Sequence, residues 1–421
     1  MKLLLKQVKI VSATSPLHGK LTDILIENGL FKEINSSIFS DDATIIDYPN
    51  LHVSIGWMDI FAHFADPGFE HRETLTTGAA AAAAGGFTDV MVTPNTNPAI
   101  SSQSQVQYIL QKAVPLPVRI YPIGTVTKNA EGKELTDMYD MFQSGAIAFS
   151  DGTNSLQGAG ILLKALQYIL STQTSIIQVP NDHGIGTHGL MNEGISSTRL
   201  GLPGIPALAE ELMIARDIEL LRYTHSKLHL TGVSTKKGLE MVKTAREEGL
   251  QISASVTPYH GWFCDEDLAG YDTNLKTDPP LRSSDDMYAV RDAIKNGLVD
   301  SFASHHSPQH SDNKECEFEY AEKGMIGLES MFGALNSFEP NLEDLIEKLT
   351  VVPRKLFNIP LPLISEGEAA CLTLFDPDAK YIFKESMIRS KARNSAFIGK
   401  ELKGKVIGII NKNQLILHSA S

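Results

Sequence analysis

Among the 13 histidines of this 421-residue chain, a few stand where imidazole and carboxylate together can do chemistry. His63 follows the apolar run Val53–Ile60, Asp151 lies in Ser150-Asp151-Gly152, and His305-His306 opens the segment Ser307-Pro308-Gln309-His310. Imidazoles and carboxylates are the ligands zinc takes when it activates a water. His63, Asp151, His305 and His306 are therefore candidates for one remodelled metal site. Each also has a structural reading. His63 is otherwise a histidine at a strand end, Asp151 a turn-capping carboxylate before Gly152, and His310 a solvated loop residue. His183 precedes and His188 lies within a glycine-rich stretch, Gly184 to Gly189, that reads as a mobile loop. No Lys-Ser/Thr follows it, so it is not a phosphate loop. His225 and His229 read as structural.

The elements that must carry these residues alternate. Apolar strand candidates occur at Val53–Ile60, Thr88–Thr93, Arg119–Ile123, Gly145–Ser150, Ser175–Val179, Lys227–Leu230, Gln251–Val256 and Asp300–Ala303. Helical patterns separate them, at Thr74–Gly85, Leu135–Gln143, Gly160–Leu170, Ile205–Thr224, Lys236–Glu248 and Met287–Asn296. Eight strands alternating with helices predict a (β/α)8 barrel, an α/β fold whose chemistry sits at the C-terminal ends of its strands. Both chain ends are instead β-rich. Leu3–Val11 and Leu21–Ile26 precede an Asn28-Gly29 hairpin signal. Ala370–Phe375, an Asp376-Pro377 turn, Val406–Ile410 and Gln414–His418 follow the barrel. The ends are expected to pair into one small β-domain, residues 1–52 with 362–421, beside a barrel of residues 53–361.

A net charge of −13 argues against general affinity for nucleic acid or anionic membrane. No apolar run approaches the roughly 20 residues of a membrane-spanning helix. Cys264, Cys316 and Cys371 are far apart and form no CxxC pair, which leaves no disulfide framework or thiolate zinc site and fits a reducing cytoplasm.

Gly56-Trp57-Met58-Asp59-Ile60-Phe61-Ala62-His63-Phe64-Ala65-Asp66-Pro67-Gly68 resembles the first barrel strand of dihydroorotases, as do Pro94 to Pro98, Arg199 to Pro206, Val256 to His260, Gly270 to Asn274, Pro279 to Arg282 and Gly327-Leu328-Glu329, in order. The resemblance is closest to the long bacterial type and implies an amidohydrolase-superfamily barrel with a small β-sandwich built from both termini. It also implies one or two zinc ions that activate a water for reversible ring opening of dihydroorotate, a catalytic carboxylate on the last strand, and an Arg–Asn pair for the substrate carboxylate.

Against that pattern the chain departs at the strand ends. The family's first-strand histidine pair is Phe61 and His63, and its strand-4 acidic pair is reduced to Asp151, which is either the retained ligand or its neighbour. Gln178 stands at the strand-5 histidine, Gly232 at the strand-6 histidine, and His305 at the strand-8 aspartate that is both ligand and base. Asn95 is kept for substrate, whereas the substrate-binding arginine is Ala65 and the asparagine is Asp278; His306 also sits among the substrate contacts. Losing a charged hydrogen bond costs on the order of 2–5 kcal/mol. His63 and Asp151 are then the only residual ligands, too few for zinc, which needs three or four. The expectation is a dihydroorotase homologue with no zinc or a weak one, catalytically inactive or impaired. By analogy with inactive members of the family, it would be a structural partner of aspartate transcarbamoylase and a homodimer. The rival expectation is an active enzyme with a mononuclear site rebuilt from His63, Asp151, His305 and His306. A third is a binding module whose barrel mouth still takes a pyrimidine-like ligand through Asn95.

Overall fold

The structure, a computed structural model, describes residues 1–418. Eight parallel strands form its central sheet: Trp57–Ala62, Phe87–Val92, Arg119–Gly124, Ala148–Phe149, Ile176–Gln178, Leu228–Thr231, Ile252–Val256 and Ser301–Phe302. The ring closes where Ala62 bridges His306 and the His63 N–H donates to the His306 carbonyl at 2.8 Å. Below that bridge the Asp59 carboxylate accepts from both the amide and the hydroxyl of Ser304, each at 2.7 Å. Trp57 to Ala62 is buried at every position, as expected of a strand covered on both faces. The expected (β/α)8 barrel is therefore present.

The helix Leu75–Ala84 follows the first strand, capped by Thr74 in a reciprocal box with Thr77. Its small side chains Ala79, Ala81, Ala82 and Ala83 are all buried, which lets the helix lie close to the sheet. Two expected helices begin late for local reasons. Leu135 bridges back to Thr127, so that helix runs only Met138–Gln143 from its Asp137 cap. Ile205 belongs to a short strand, Gly204–Ile205, so the next helix is Leu208–Thr224.

The run Val53–Ile60, expected as one strand, divides at Gly56. His52–Ile55 pairs parallel to Lys2–Ile10 and antiparallel to Leu372–Ile382, and so stitches both chain ends into one sheet. A Cβ at Gly56 would lie 2.0 Å from the Thr88 hydroxyl, a contact only glycine permits. The terminal strands are hydrogen-bonded as one continuous eight-stranded sheet ordered Gln414–Leu417, Glu401–Asn411, Leu372–Ile382, His52–Ile55, Lys2–Ile10, Leu21–Glu27 and Leu30–Asn35, with Thr44–Ile46 also on Lys2–Ile10. The Asn28-Gly29 turn is confirmed, with φ of 53° and 80°. Asp376-Pro377 is not a turn. The strand continues through it, but the ladder is interrupted from Pro377 to Ala379, a bulge in which the proline needs no N–H to donate.

Trp57 fastens the two units together. Its ring lies 4.6 Å from Phe332 and 5.3 Å from Phe375, and its indole N–H donates to Ser54. Among the described residues no helix is long and apolar enough to cross a membrane.

Candidate functional site

At the C-terminal ends of the barrel strands lies a cavity of about 330 Å³. Phe61, His63, Asn95, Asp278, His305 and His306 all line it, so the structure brings most of the sequence-derived candidates to one place. Asp151, Gln178 and Gly232 are not on its wall, and Ala65 is fully buried beside it.

The backbone turns sharply at this rim. Ala65, Gly152, Gly232 and His305 all have positive φ, at 57°, 65°, 73° and 43°. His305 turns its imidazole over Gly232, where a Cβ would meet His305 Cε1 at 2.6 Å. The same ring lies 4.7 Å from the Phe61 ring, and its Nε2 bonds the Thr231 hydroxyl at 2.9 Å. Burial, and next the charge of nearby His260, push the His305 imidazole down to about 3, so it is neutral. Three positions where the resemblance puts metal ligands thus hold a phenyl ring, a bare backbone, and an imidazole that packs across both.

The remaining donors point elsewhere. Asp151 Oδ1 accepts the amides of Val126 and Thr127, both at 2.9 Å, and its Oδ2 accepts the Thr127 hydroxyl. Burial raises its carboxyl despite these bonds. This carboxylate therefore ties the fourth strand end to the loop after the third rather than capping its own turn before Gly152. Gln178 Oε1 accepts the Leu156 amide at 3.2 Å. His63 Nδ1 bonds the Thr93 hydroxyl at 3.0 Å, and burial followed by the charge of Arg72 pushes its imidazole down to about 4. Asn95 is tied at both ends: its Nδ2 donates to the Asp151 carbonyl at 3.0 Å and its Oδ1 accepts the Thr153 amide at 3.1 Å. Among the described residues no group of three or more His, Cys, Asp or Glu side chains is arranged to hold a metal ion. A zinc ion does not fit this donor set, because three or four ligands must converge on it.

Several residues at the site went unread in the sequence. Glu73, fully buried, sits with Oε2 3.5 Å from His306 Nε2, and it also accepts from the Ser390 hydroxyl and the Lys391 amide. Burial works to raise the Glu73 carboxyl, but His306, Ser390 and Thr77 outweigh it and hold it below its usual range. Arg72, Gln309 and Lys323 line the cavity as well. Glu70-His71-Arg72-Glu73 is a run of charged and polar residues in the sequence, and only the fold shows that Arg72 and Glu73 turn inward. Imidazole, guanidinium, carboxylate, ammonium and amide groups thus share the wall of this cavity.

The family model described as "Dihydro-orotase-like" matches residues 52–238. The chain is 36% identical over 423 residues to a protein named "Dihydroorotase" from Syntrophus aciditrophicus (strain SB), covering 99% of each. It is 37% identical over 413 residues to the "Dihydroorotase" of Pelotomaculum thermopropionicum, covering 96% of each. It is also 36% identical to that of Aquifex aeolicus (strain VF5), covering 99% of each. Among solved structures, L-hydantoinase (dihydropyrimidinase) from Arthrobacter aurescens superposes with a TM-score of 0.85 at 21% identity, over 100% of this chain and 96% of that one. Dihydropyrimidinase from Brevibacillus agri NCHU1002 superposes at 0.81 and 19%, over 99% and 95%. At such identities these two likenesses speak for the barrel and its β-rich companion alone.

Proposed function

Because the chain belongs to the dihydroorotase family, matched end to end by its relatives, we propose that it serves pyrimidine biosynthesis as a dihydroorotase-like protein without metal-dependent ring-opening activity. The observation that carries this reading is the packing of Phe61, His305 and Gly232 against one another where the family's zinc ligands belong. Chemistry of that kind needs a hydroxide sharpened by metal, and the donors that would hold the metal are either absent or bonded to the scaffold. By analogy with inactive members of the family, the chain acts in the cytoplasm as a structural partner of aspartate transcarbamoylase, and it forms a homodimer.

A second reading keeps an active enzyme with a mononuclear metal on His63, Asp151, His305 and His306. It draws on one observation, that three of these four line the same cavity. Asp151 opposes it, since both of its oxygens are already engaged.

Elemental analysis of protein purified with zinc in the medium, run beside a ring-opening assay on dihydroorotate, separates the two. The expected result is far less than one zinc per chain and no turnover. Near-stoichiometric zinc with turnover establishes the second reading and removes the first. Mixing with aspartate transcarbamoylase on a sizing column tests the partner; independent elution of the two proteins removes that part of the proposal.

A further inference from the structure

A second cavity, of about 210 Å³, lies where the terminal sheet rests on the barrel, and it shares no wall residue with the barrel mouth. Ala84 at the end of the helix Leu75–Ala84 and Gly333 of the helix Met331–Asn336 form one side. Tyr381 on the strand Leu372–Ile382 and Lys405 on the strand Glu401–Asn411 form the other, with Arg389 and His418.

Three polar groups on this wall are open and have no partner among the described residues. The Lys405 ammonium makes neither a hydrogen bond nor an ion pair there, on a half-buried side chain. Arg389 donates through Nη1 to the Ser386 carbonyl at 2.8 Å and the Ile388 carbonyl at 3.3 Å, which leaves the Nε and Nη2 edge of its guanidinium free. The Tyr381 hydroxyl is the third, and burial raises it, so it stays protonated and able to donate. Glycine at 333 makes room for that hydroxyl, because a Cβ there would meet it at 2.6 Å.

His418 shows that the two cations converge. Its Nε2 lies 3.2 Å from the Ala83 carbonyl, which puts the ring proton on that atom. Burial lowers its imidazole, the Ala83 bond works against that, and the charges of Arg389 and Lys405 both add to the lowering. Like charges brought together without a counter-ion repel, and an anion between them relieves the cost. Glu329 is the carboxylate on the wall. Its Oε1 accepts the amides of Arg389 and Ser390 at 3.1 Å and 2.9 Å, and it pairs with neither cationic side chain. Phe383, Met387 and Val406 make the remaining surface apolar.

We propose that this seam cavity is a second binding site, one for a small monocarboxylate with an apolar, ring-sized body. Arg389 and Lys405 hold the carboxylate, Tyr381 donates to it, and Phe383, Met387 and Val406 enclose the body. The free edge of a guanidinium matches the two oxygens of one carboxylate. Glu329 opposes a second negative charge, which disfavours phosphate. An apolar cavity of about 150 Å³ already admits benzene, so about 210 Å³ takes one ring and its head group.

Titration of the full chain with benzoate, followed by NMR at the His418 ring, tests the site; loss of the signal in His418→Gln assigns it. Benzoate is expected to shift that signal with a dissociation constant on the order of 1 mM. Benzamide, its neutral isostere, acetate, its head group alone, and inorganic phosphate are each expected to bind at least about tenfold more weakly. Arg389→Met and Lys405→Met are each expected to weaken benzoate by about tenfold, and Tyr381→Phe by about threefold. Thermal melts identify any variant that fails to fold, and Arg389→Lys, which keeps the charge without the fork, then carries the arginine test. A His418 signal that benzoate leaves unmoved places any bound benzoate elsewhere and overturns the proposal. So does benzamide or phosphate binding as tightly as benzoate, or a methionine variant within about twofold of the parent chain.

Discussion

His229 shows how a single buried imidazole writes itself into the acid stability of the barrel. It is 1% exposed, with its two ring nitrogens 2.8 Å and 3.0 Å from the hydroxyls of Ser253 and Ser255. Burial, then the charge of His305, push it down to about 3, so the folded protein holds it neutral. In the unfolded chain it titrates near its ordinary value of about 6.5. Between those values the unfolded chain carries the extra proton. Its contribution to stability is therefore intact above about pH 6.5 and is lost as pH falls toward 3. Asp59 works in the opposite sense. Burial, opposed by Ser304, raises its carboxyl to about 6, so acidification through 6 relieves the penalty of keeping it charged. A comparison between variants isolates the histidine. His229→Gln keeps a side chain able to bond both serines but does not titrate. Urea unfolding at pH 7 and pH 5 is expected to show the parent losing more stability than the variant, by a difference that approaches about 1.4 kcal/mol per pH unit. Parallel losses in the two proteins would mean that His229 is not held neutral.

At the scale of elements, the ends of the sixth and eighth strands are packed as one unit. Gly232 has a φ of +73°, and a Cβ there lies 2.6 Å from the His305 ring. Two costs follow for Gly232→Ala: about 1–2 kcal/mol for an L-residue in the left-handed region, and about 1–3 kcal/mol for the overpacked contact. The second vanishes when the ring is removed, and the first does not. A double-mutant cycle of Gly232→Ala with His305→Ala is expected to show coupling of about 1 kcal/mol or more, with the alanine better tolerated once His305 is gone. Additive losses would mean that the ring does not occupy that space. The same contact opposes a histidine at position 232, whose side chain would meet the His305 ring.

At the scale of the whole molecule, what was legible in the sequence is what local chemistry determines. The barrel strands are apolar runs of strand length, and the Asn28-Gly29 turn announces its own geometry. Gly56 hides its role, because the apolar run passes straight through it and its reason, the contact with Thr88, lies 32 residues away. The helix Gln103–Ala113 carries too few apolar residues to stand out, with only Val106, Ile109 and Ala113 buried. At the site, the departures of Phe61, Gln178, Gly232 and His305 from the family's strand-end motifs were readable because those motifs are local. The direction of the Asp151 carboxylate and the inward turn of Arg72 and Glu73 were not, since a charged loop reads alike whether it is solvated or buried. The same limit concealed how the two units hold together on the face away from the cavity. Asp89, fully buried on the second strand, accepts from Arg354 at 2.5 Å, Arg119 at 3.3 Å and the Tyr121 hydroxyl at 3.2 Å. Arg354 comes from the helix Leu342–Leu356, and Arg119 reaches on to Asn411 at the end of the strand Glu401–Asn411, at 3.1 Å. Asn411 in turn donates to the Thr88 carbonyl at 3.2 Å, so barrel, last helix and terminal sheet share one polar network. Arg354 is 1% exposed. Arg354→Met keeps much of its volume but strips Asp89 of its closest cationic partner, a change that costs about 3–5 kcal/mol when a buried pair is broken. Because the network spans both units, the loss is expected to lower one shared unfolding transition rather than to split it. Urea denaturation followed by tryptophan fluorescence and far-ultraviolet circular dichroism reads this directly: coincident curves shifted to lower urea support the shared network, and two separated transitions would show that barrel and terminal sheet unfold independently.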